Sequence, residues 1–358
     1  MVIILNSKEG ILRIVAVSLL SVAMLVYTTY QVLFMDLGSN VVAEKPLPAS
    51  NEVANVEEQT TSSKTETITQ SSEKAESAES NKTTENQSQA VSAKETVKGK
   101  IIEKHISPYS VGLSYNNVYV KNSTGLSVDI KSLLSKKLSF SIKKTNEPQV
   151  LIMHTHTTES FMTEDRDYYT DKDQSRRTNE KLNMVNLGNI VAKKLNNAGI
   201  KTLHDKTTHD YPVYNGSYSR AAETICSYLK KYPSIKIVID MHRDAISSGS
   251  DKTKVTTEIN GKKAAQVMLV MGSQSGSVKN FPNWQENLKL ALRLQQTLEV
   301  MYPSLARPLS LTSNNYNESL SKGSMLLEMG TDANTIAEVE YSAELVGNAL
   351  VSLLNTLK

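Results

Sequence analysis

The sequence predicts an α/β protein, a three-layer fold with a sheet flanked by helices, over residues 149–358. Three observations carry that expectation. From Gln149 onward, short apolar runs alternate with longer stretches whose apolar residues recur at helical spacing. Those stretches stop at Gly199 and Pro233, residue types that end helices. The residues able to bind a metal or move a proton fall where apolar runs finish, and open α/β sheets build their ligand sites at the carboxyl ends of strands.

Taken in order, residues 101–148 carry strand-like text (NNVYVKNSTGLSVDI) and a short amphipathic piece (IKSLLSKKL), read as an N-terminal elaboration without chemistry of its own. QVLIMHTH is a short buried strand, and EKLNMVNLGNIVAKKLNNAG is an amphipathic helix starting at Glu180. IKTLHD is the next strand. SYSRAAETICSYLKKYP is a second helix, on which Cys226 reads as a small buried hydrophobe; as the single cysteine it excludes an internal disulfide. IKIVIDMH is a strongly apolar strand, and KVTTEINGKKAAQVMLVMG is a hairpin turning at Asn260-Gly261. NWQENLKLALRLQQTLEVMYP is a helix, SMLLEMG a strand, and a long helix follows Thr331-Asp332. No internal repeat and no nucleotide-binding glycine loop is present in the text.

Residues 1–100 are of another kind. Residues 14–35 form an uncharged apolar run long enough to cross a bilayer as a helix. Lys8 and Arg13 precede it and Asp36 follows, which places residues 1–13 in the cytoplasm and the rest outside. A cleaved signal peptide is the rival reading, but no clear small-x-small site follows Tyr30. Residues 36–100 are expected to form a disordered linker: from residue 44 they are mainly Ser, Thr, Glu, Lys, Asn, Gln and Ala, and cannot bury enough apolar surface to offset the entropy of ordering. Such a coil has a root-mean-square span of roughly 40 Å and a stretched length of roughly 200 Å. Residues 44–100 carry ten Glu against seven Lys and residues 1–43 are neutral, so the chain's +3 leaves +6 for the remainder. That mildly basic balance suits an anionic wall or membrane surface, and nothing in the sequence calls for nucleic acid.

Three strand ends carry the chemistry: His154-Thr155-His156-Thr157-Thr158-Glu159, then Asp240-Met241-His242-Arg243-Asp244, then Leu327-Glu328-Met329-Gly330. His156 and Glu159 are three residues apart, so in a tight turn both side chains reach one side. With His242 they supply two imidazoles and a carboxylate, and a zinc ion held by three protein groups keeps a fourth position for water, as catalytic sites do. The absence of a thiolate cluster agrees. Glu328 is the candidate general base and acid, and Arg243 the candidate to hold a substrate carboxylate or an oxyanion. Asp240 and Asp244 orient neighbours. His154 either supports a ligand from behind or ligates in place of His156. His105, His204 and His209 read as ordinary polar positions.

HTHTTESF, IDMHRDA and LLEMGTDANT resemble the stage II sporulation protein P family of wall hydrolases from endospore-forming bacteria, over a region from about Val118 to the end. More distantly, the order His, Glu, His and late Glu resembles zinc carboxypeptidases and N-acetylmuramoyl-L-alanine amidases. In those amidases the glutamate ligand lies at the start of the next helix, which here is Glu180, so Glu180 stands beside Glu159 as third ligand. The resemblance implies a zinc-dependent peptidoglycan hydrolase that cuts the amide between muramic acid and the stem peptide, with endopeptidase action on cross-links. It also implies work in engulfment beside stage II sporulation proteins D and M. A zinc carboxypeptidase and a catalytically inactive wall-binding module are the alternatives.

Overall fold

The computed structural model describes residues 95–357. The expected cytoplasmic N-terminus (1–13), membrane helix (14–35) and linker up to residue 94 lie outside the described residues; the end of the expected linker is not coil, because Val97–Lys100 are the first half of a strand that pairs in a sheet. Within them, no helix is long and apolar enough to cross a membrane.

The strands in chain order are β1 (Val97–Lys104), β2 (Leu113–Tyr115), β3 (Val118–Asn122), β4 (Val150–Met153), β5 (Tyr168–Thr170), β6 (Thr202–His204) and β7 (Ile237–Asp244). After them come β8 (Ser247–Ser248), β9 (Asp251–Ile259), β10 (Lys262–Ala265), β11 (Val267–Met271), β12 (Leu309–Leu311) and β13 (Ser324–Thr331). The helices are α1 (Ile130–Ser135), α2 (Met184–Asn197), α3 (Ser217–Lys231), α4 (Trp284–Met301) and α5 (Ile336–Asn355).

The main sheet has the order β2-β3-β12-β11-β13-β7-β4-β6. β13, β7, β4 and β6 are mutually parallel, while β11 is antiparallel to β13. β4 is buried on both faces, which is why VLIM is a continuous apolar run rather than an alternating one. Side-chain alternation then sorts the strands. Val150, Ile152, Ile237, Ile239, Met241, Met325 and Leu327 join the large core with α2, α4 and α5, whereas Leu151, Met153 and Val238 pack against Ala221 and Ile225 of α3. The three expected layers follow from this division. By the same period of two, Asp240, His242 and Glu328 stand on the α3 face.

β2 and β3 extend the main sheet beside β12, and Val118, Val120, Ile130 and Leu133 share its core. A second sheet has the order β10-β9-β1-β5, with β8 on β9. Its β9–β10 hairpin turns at Asn260 (φ 52°) and Gly261 (φ 73°), the two positive φ values that make Asn-Gly a hairpin signal. β11, read from the sequence as continuing that hairpin, belongs to the main sheet instead.

One helix start differs from expectation. α2 begins at Met184 with Asn183 as its cap, because the Asn183 side chain accepts the Val185 N–H; Glu180 is left in the preceding turn. α5 begins at Ile336 behind a capping box of Thr335 and Glu338. Cys226 is exposed, contrary to the sequence reading: the buried stripe of α3 is Ser217, Ala221 and Ile225, and the next residue along is turned about 100° away.

Candidate metal centre

The chain leaves β4 at Met153 and turns tightly, with Glu159 N–H donating to the His156 carbonyl at 3.1 Å. The turn puts His156 Nδ1 3.4 Å from Glu159 Oε1. His242, on the neighbouring parallel strand, places its Nδ1 3.5 Å from Glu159 Oε2. One ligand atom from each of the three residues lies within 4.8 Å of the others. Four-coordinate ions with bonds of about 2.0–2.2 Å hold their donors about 3.3–3.6 Å apart, so the carboxylate-to-imidazole spacings suit one ion.

Two of the donors are held by surrounding polar groups. Asp240 Oδ1 lies 3.0 Å from His242 Nε2, an ion-pair distance without hydrogen-bond alignment, and Asp240 accepts from Thr155 N–H (2.8 Å) and Thr155 Oγ1 (2.6 Å). Glu159 Oε2 accepts from the Arg243 backbone N–H at 3.1 Å and Oε1 from Arg176 Nη2 at 3.4 Å. Arg176 is itself held by the buried Asp210 at 2.6 Å. Burial alone would discharge these groups. For His242, the Asp240 and Glu159 carboxylates overcome burial and hold the imidazolium well above the ordinary histidine range. For Glu159, the Arg243 charge and the bonds from His156 and His242 overcome burial and hold the carboxyl well below its usual range. The pocket therefore stabilises positive charge between these side chains, which is what a cation site requires.

Glu328 sits opposite His242 in the β13–β7 register. Burial, reinforced by the Asp244 charge, pushes its carboxyl up to about 8, against the pull of His242 and Arg307. Its Oε2 has no hydrogen-bond partner. A half-buried carboxyl with a free oxygen and a proton affinity near neutrality is suited to taking up and releasing a proton.

The other residues singled out in the sequence are placed as follows. Arg243 is buried, and its guanidinium donates to the carbonyls of Ser160 (3.3 Å), Asp244 (3.4 Å) and Ser175 (2.8 Å). It holds the 156–160 turn against β7. Asp244 accepts from Arg307 Nη1 at 2.9 Å. His154 is fully buried; Nδ1 lies 3.0 Å from the Met241 carbonyl and Nε2 2.8 Å from His204 Nε2, so both nitrogens are occupied behind the cluster. Burial pushes His154 down to about 4 and His204 down to about 3. Glu180 is exposed, 3.4 Å from Lys206, and outside the cluster.

Several neighbours were not foreseen. His209, read as an ordinary polar position, is 2% exposed and ties the His154 carbonyl (2.8 Å) to Thr224 (2.9 Å). Tyr214 stacks on His156 (4.9 Å, 24°) beneath the Arg176 guanidinium, and Tyr218 touches both imidazoles of the cluster. Burial, then Asp240, raises the Tyr218 phenol well above the ordinary tyrosine range. Arg307 is 3% exposed, with Nε and Nη2 unpartnered. Its one sequence signal is a lone charge between apolar runs in SLARPLSL.

Fold and site together define an α/β protein with a His/Glu/His cluster able to hold a metal and a raised carboxyl at the carboxyl edge of its sheet. The profile of the stage II sporulation protein P family matches residues 27–351, and the chain belongs to that family. Stage II sporulation protein P of Bacillus subtilis (strain 168) is 31% identical over 205 residues, 54% of this chain and 48% of that relative, so the match spans about half the relative's length. Two solved structures are similar at low identity. An N-acetylmuramoyl-L-alanine amidase from Clostridium difficile 630 is 17% identical with a TM-score of 0.32, covering 59% of this chain and 97% of the other. The CwlD amidase from Clostridioides difficile, solved in complex with the GerS lipoprotein, is 12% identical with a TM-score of 0.34, covering 58% and 99%.

Proposed function

We propose that this protein is a zinc-dependent peptidoglycan hydrolase of sporulation: an N-acetylmuramoyl-L-alanine amidase that also cuts stem-peptide cross-links. The observation that carries this reading is the braced cluster of His156, Glu159 and His242 with Glu328 beside it in register. Two imidazoles and one carboxylate are the donor set of catalytic zinc sites, and zinc bound there lowers the pKa of water toward about 7 and polarises a carbonyl. Glu328 takes the proton of the attacking water and delivers it to the departing nitrogen. Asp240 holds the His242 ring in one orientation, and Arg176 with the Arg243 N–H holds the Glu159 carboxylate. Both bonds are amides, so one base serves both cleavages.

Family membership, the uncharged run at residues 14–35 and the polar stretch after it support a single-pass cell-membrane protein with a cytoplasmic N-terminus and an extracytoplasmic hydrolase domain. Peptidoglycan is then the substrate, and stage II sporulation proteins D and M are the proposed partners in engulfment. Mass analysis of digests of purified sacculi tests the reaction. Stem peptides with a free N-terminal alanine are expected, dimeric stems shorten to monomers, and a chelator stops both. Products trimmed only at C-terminal residues would mean a carboxypeptidase instead.

A further inference from the structure

Hydrolysis of an amide builds negative charge on the carbonyl oxygen, and a fixed hydrogen-bond donor aimed at that oxygen is among the largest contributions a protein makes to the rate. Arg243, the donor suggested by the sequence, has its guanidinium engaged by three backbone carbonyls. Arg176 is engaged by Asp210 and Glu159. Tyr218 is differently placed. It is the second residue of α3, on the helix that faces the strand residues Asp240, His242 and Glu328. Its ring lies edge-on to His156 (5.6 Å, 80°) and parallel to His242 (6.5 Å, 15°). Tyr316 closes the far side at 6.3 Å. Its carbonyl accepts from Asn317 Nδ2 at 2.8 Å, and the residue before it is tied to the preceding loop by Ser217 Oγ donating to the Tyr214 carbonyl. The hydroxyl has no hydrogen-bond partner among the described residues.

We propose that Tyr218 is a further catalytic residue, its hydroxyl donating a hydrogen bond to the scissile carbonyl oxygen as charge develops there. The inference rests on the amide-hydrolase reading of the same site. In the step, the water oxygen bonds the carbonyl carbon and the C=O π pair moves onto oxygen. The phenol O–H holds that oxygen and keeps its own proton. The pair returns as the C–N bond breaks, and the proton that Glu328 took from water goes to the departing nitrogen. Tyr214 is the neighbour to distinguish: it contacts His156 but not His242, and is 46% exposed.

The test uses the full-length protein and its Tyr218→Phe and Tyr214→Phe variants. Zinc content, kcat and KM on a soluble muramoyl-peptide, and the affinity of a phosphinate isostere of the amide are measured. Tyr218→Phe is expected to keep a full equivalent of zinc and an unchanged KM, with kcat reduced by about 10²–10³ and phosphinate affinity reduced at least about tenfold. A Tyr218→Phe enzyme within about threefold of wild type in kcat and phosphinate affinity overturns the proposal. A larger loss in Tyr214→Phe, or loss of zinc from Tyr218→Phe, also overturns it. Wild-type protein that releases no peptide overturns the amide-hydrolase reading and this inference together, whereas an active wild type with a fully active Tyr218→Phe removes only the inference.

Discussion

At His242 the two ring nitrogens face different groups: Nδ1 faces Glu159 and Nε2 faces Asp240. A metal held by Nδ1 would leave Nε2 beside the Asp240 carboxylate, whose charge favours a proton on that nitrogen. His156→Ala and His242→Ala are therefore expected to lose bound zinc in an equilibrium dialysis measurement. Glu159→Ala should lose it too, while Glu180→Ala, at an exposed residue paired with Lys206, should retain a full equivalent. Zinc lost from Glu180→Ala and kept by Glu159→Ala would reverse the ligand assignment. Glu328 carries a second expectation. Its carboxyl is raised to about 8 in the fold, whereas an unfolded glutamate titrates near about 4.3. The folded protein thus binds the extra proton between those values, and this stability is fully present below the unfolded value and lost as pH rises through about 8. In metal-free protein, Glu328→Gln should match wild type near pH 4 and be more stable by about 3–4 kcal/mol at pH 7. Denaturant midpoints across that range check it, and parallel curves for the two proteins would remove the raised carboxyl. With zinc present, Glu328→Gln should lose about 10²–10⁴ in rate.

Among the elements, α2 decides how closely the layer behind the cluster can approach. A Cβ on Gly188 would collide with the ring nitrogens of His204 and His154, so the helix lies against the His pair only because residue 188 has no side chain. Alanine there is favoured by about 1 kcal/mol in helix propensity, but overpacking a tight interior costs about 1–3 kcal/mol. Gly188→Ala is therefore expected to destabilise the protein and to weaken zinc binding by displacing His154, which holds the Met241 carbonyl next to His242. A urea midpoint equal to or above wild type would show that the helix has room to move. In the sequence this glycine is an ordinary interruption of an amphipathic pattern; its function depends on two histidines 34 residues earlier and 16 residues later in the chain.

For the whole molecule, the expectation with the widest consequence is the anchor. The uncharged run at residues 14–35, flanked by Lys8 and Arg13, should keep the full chain in the membrane fraction after an alkaline wash, and deletion of those residues should release an active, soluble protein. Release of wild type by the wash, or a mature N-terminus mapped just after Tyr30, would replace the anchor with a cleaved leader. The basic balance of the region after residue 100 is expected to add a salt-dependent attraction to anionic wall material, weaker than insertion of an apolar helix and screened within about 10 Å at 0.1 M salt.

The sequence by itself determined the alternation of strands and helices, the Asn260-Gly261 turn and the strand ends at which His156, Glu159, His242 and Glu328 appear, because these depend on side-chain periodicity and local turn chemistry. It left Glu159 and Glu180 as alternatives and assigned a substrate contact to Arg243. Only the tertiary structure decided which carboxylate meets the imidazoles, since Glu159 reaches His242 by the pairing of β4 with β7, a contact across 83 residues of chain. The same packing turned Arg243 onto three carbonyls and brought Arg176, His209, Asp210, Tyr218 and Arg307 around the cluster. Tyr218 lies on a helix the sequence predicted, but nothing in the sequence marks any of these residues as a neighbour of the cluster, because their positions are fixed by contacts that form only when separate segments meet.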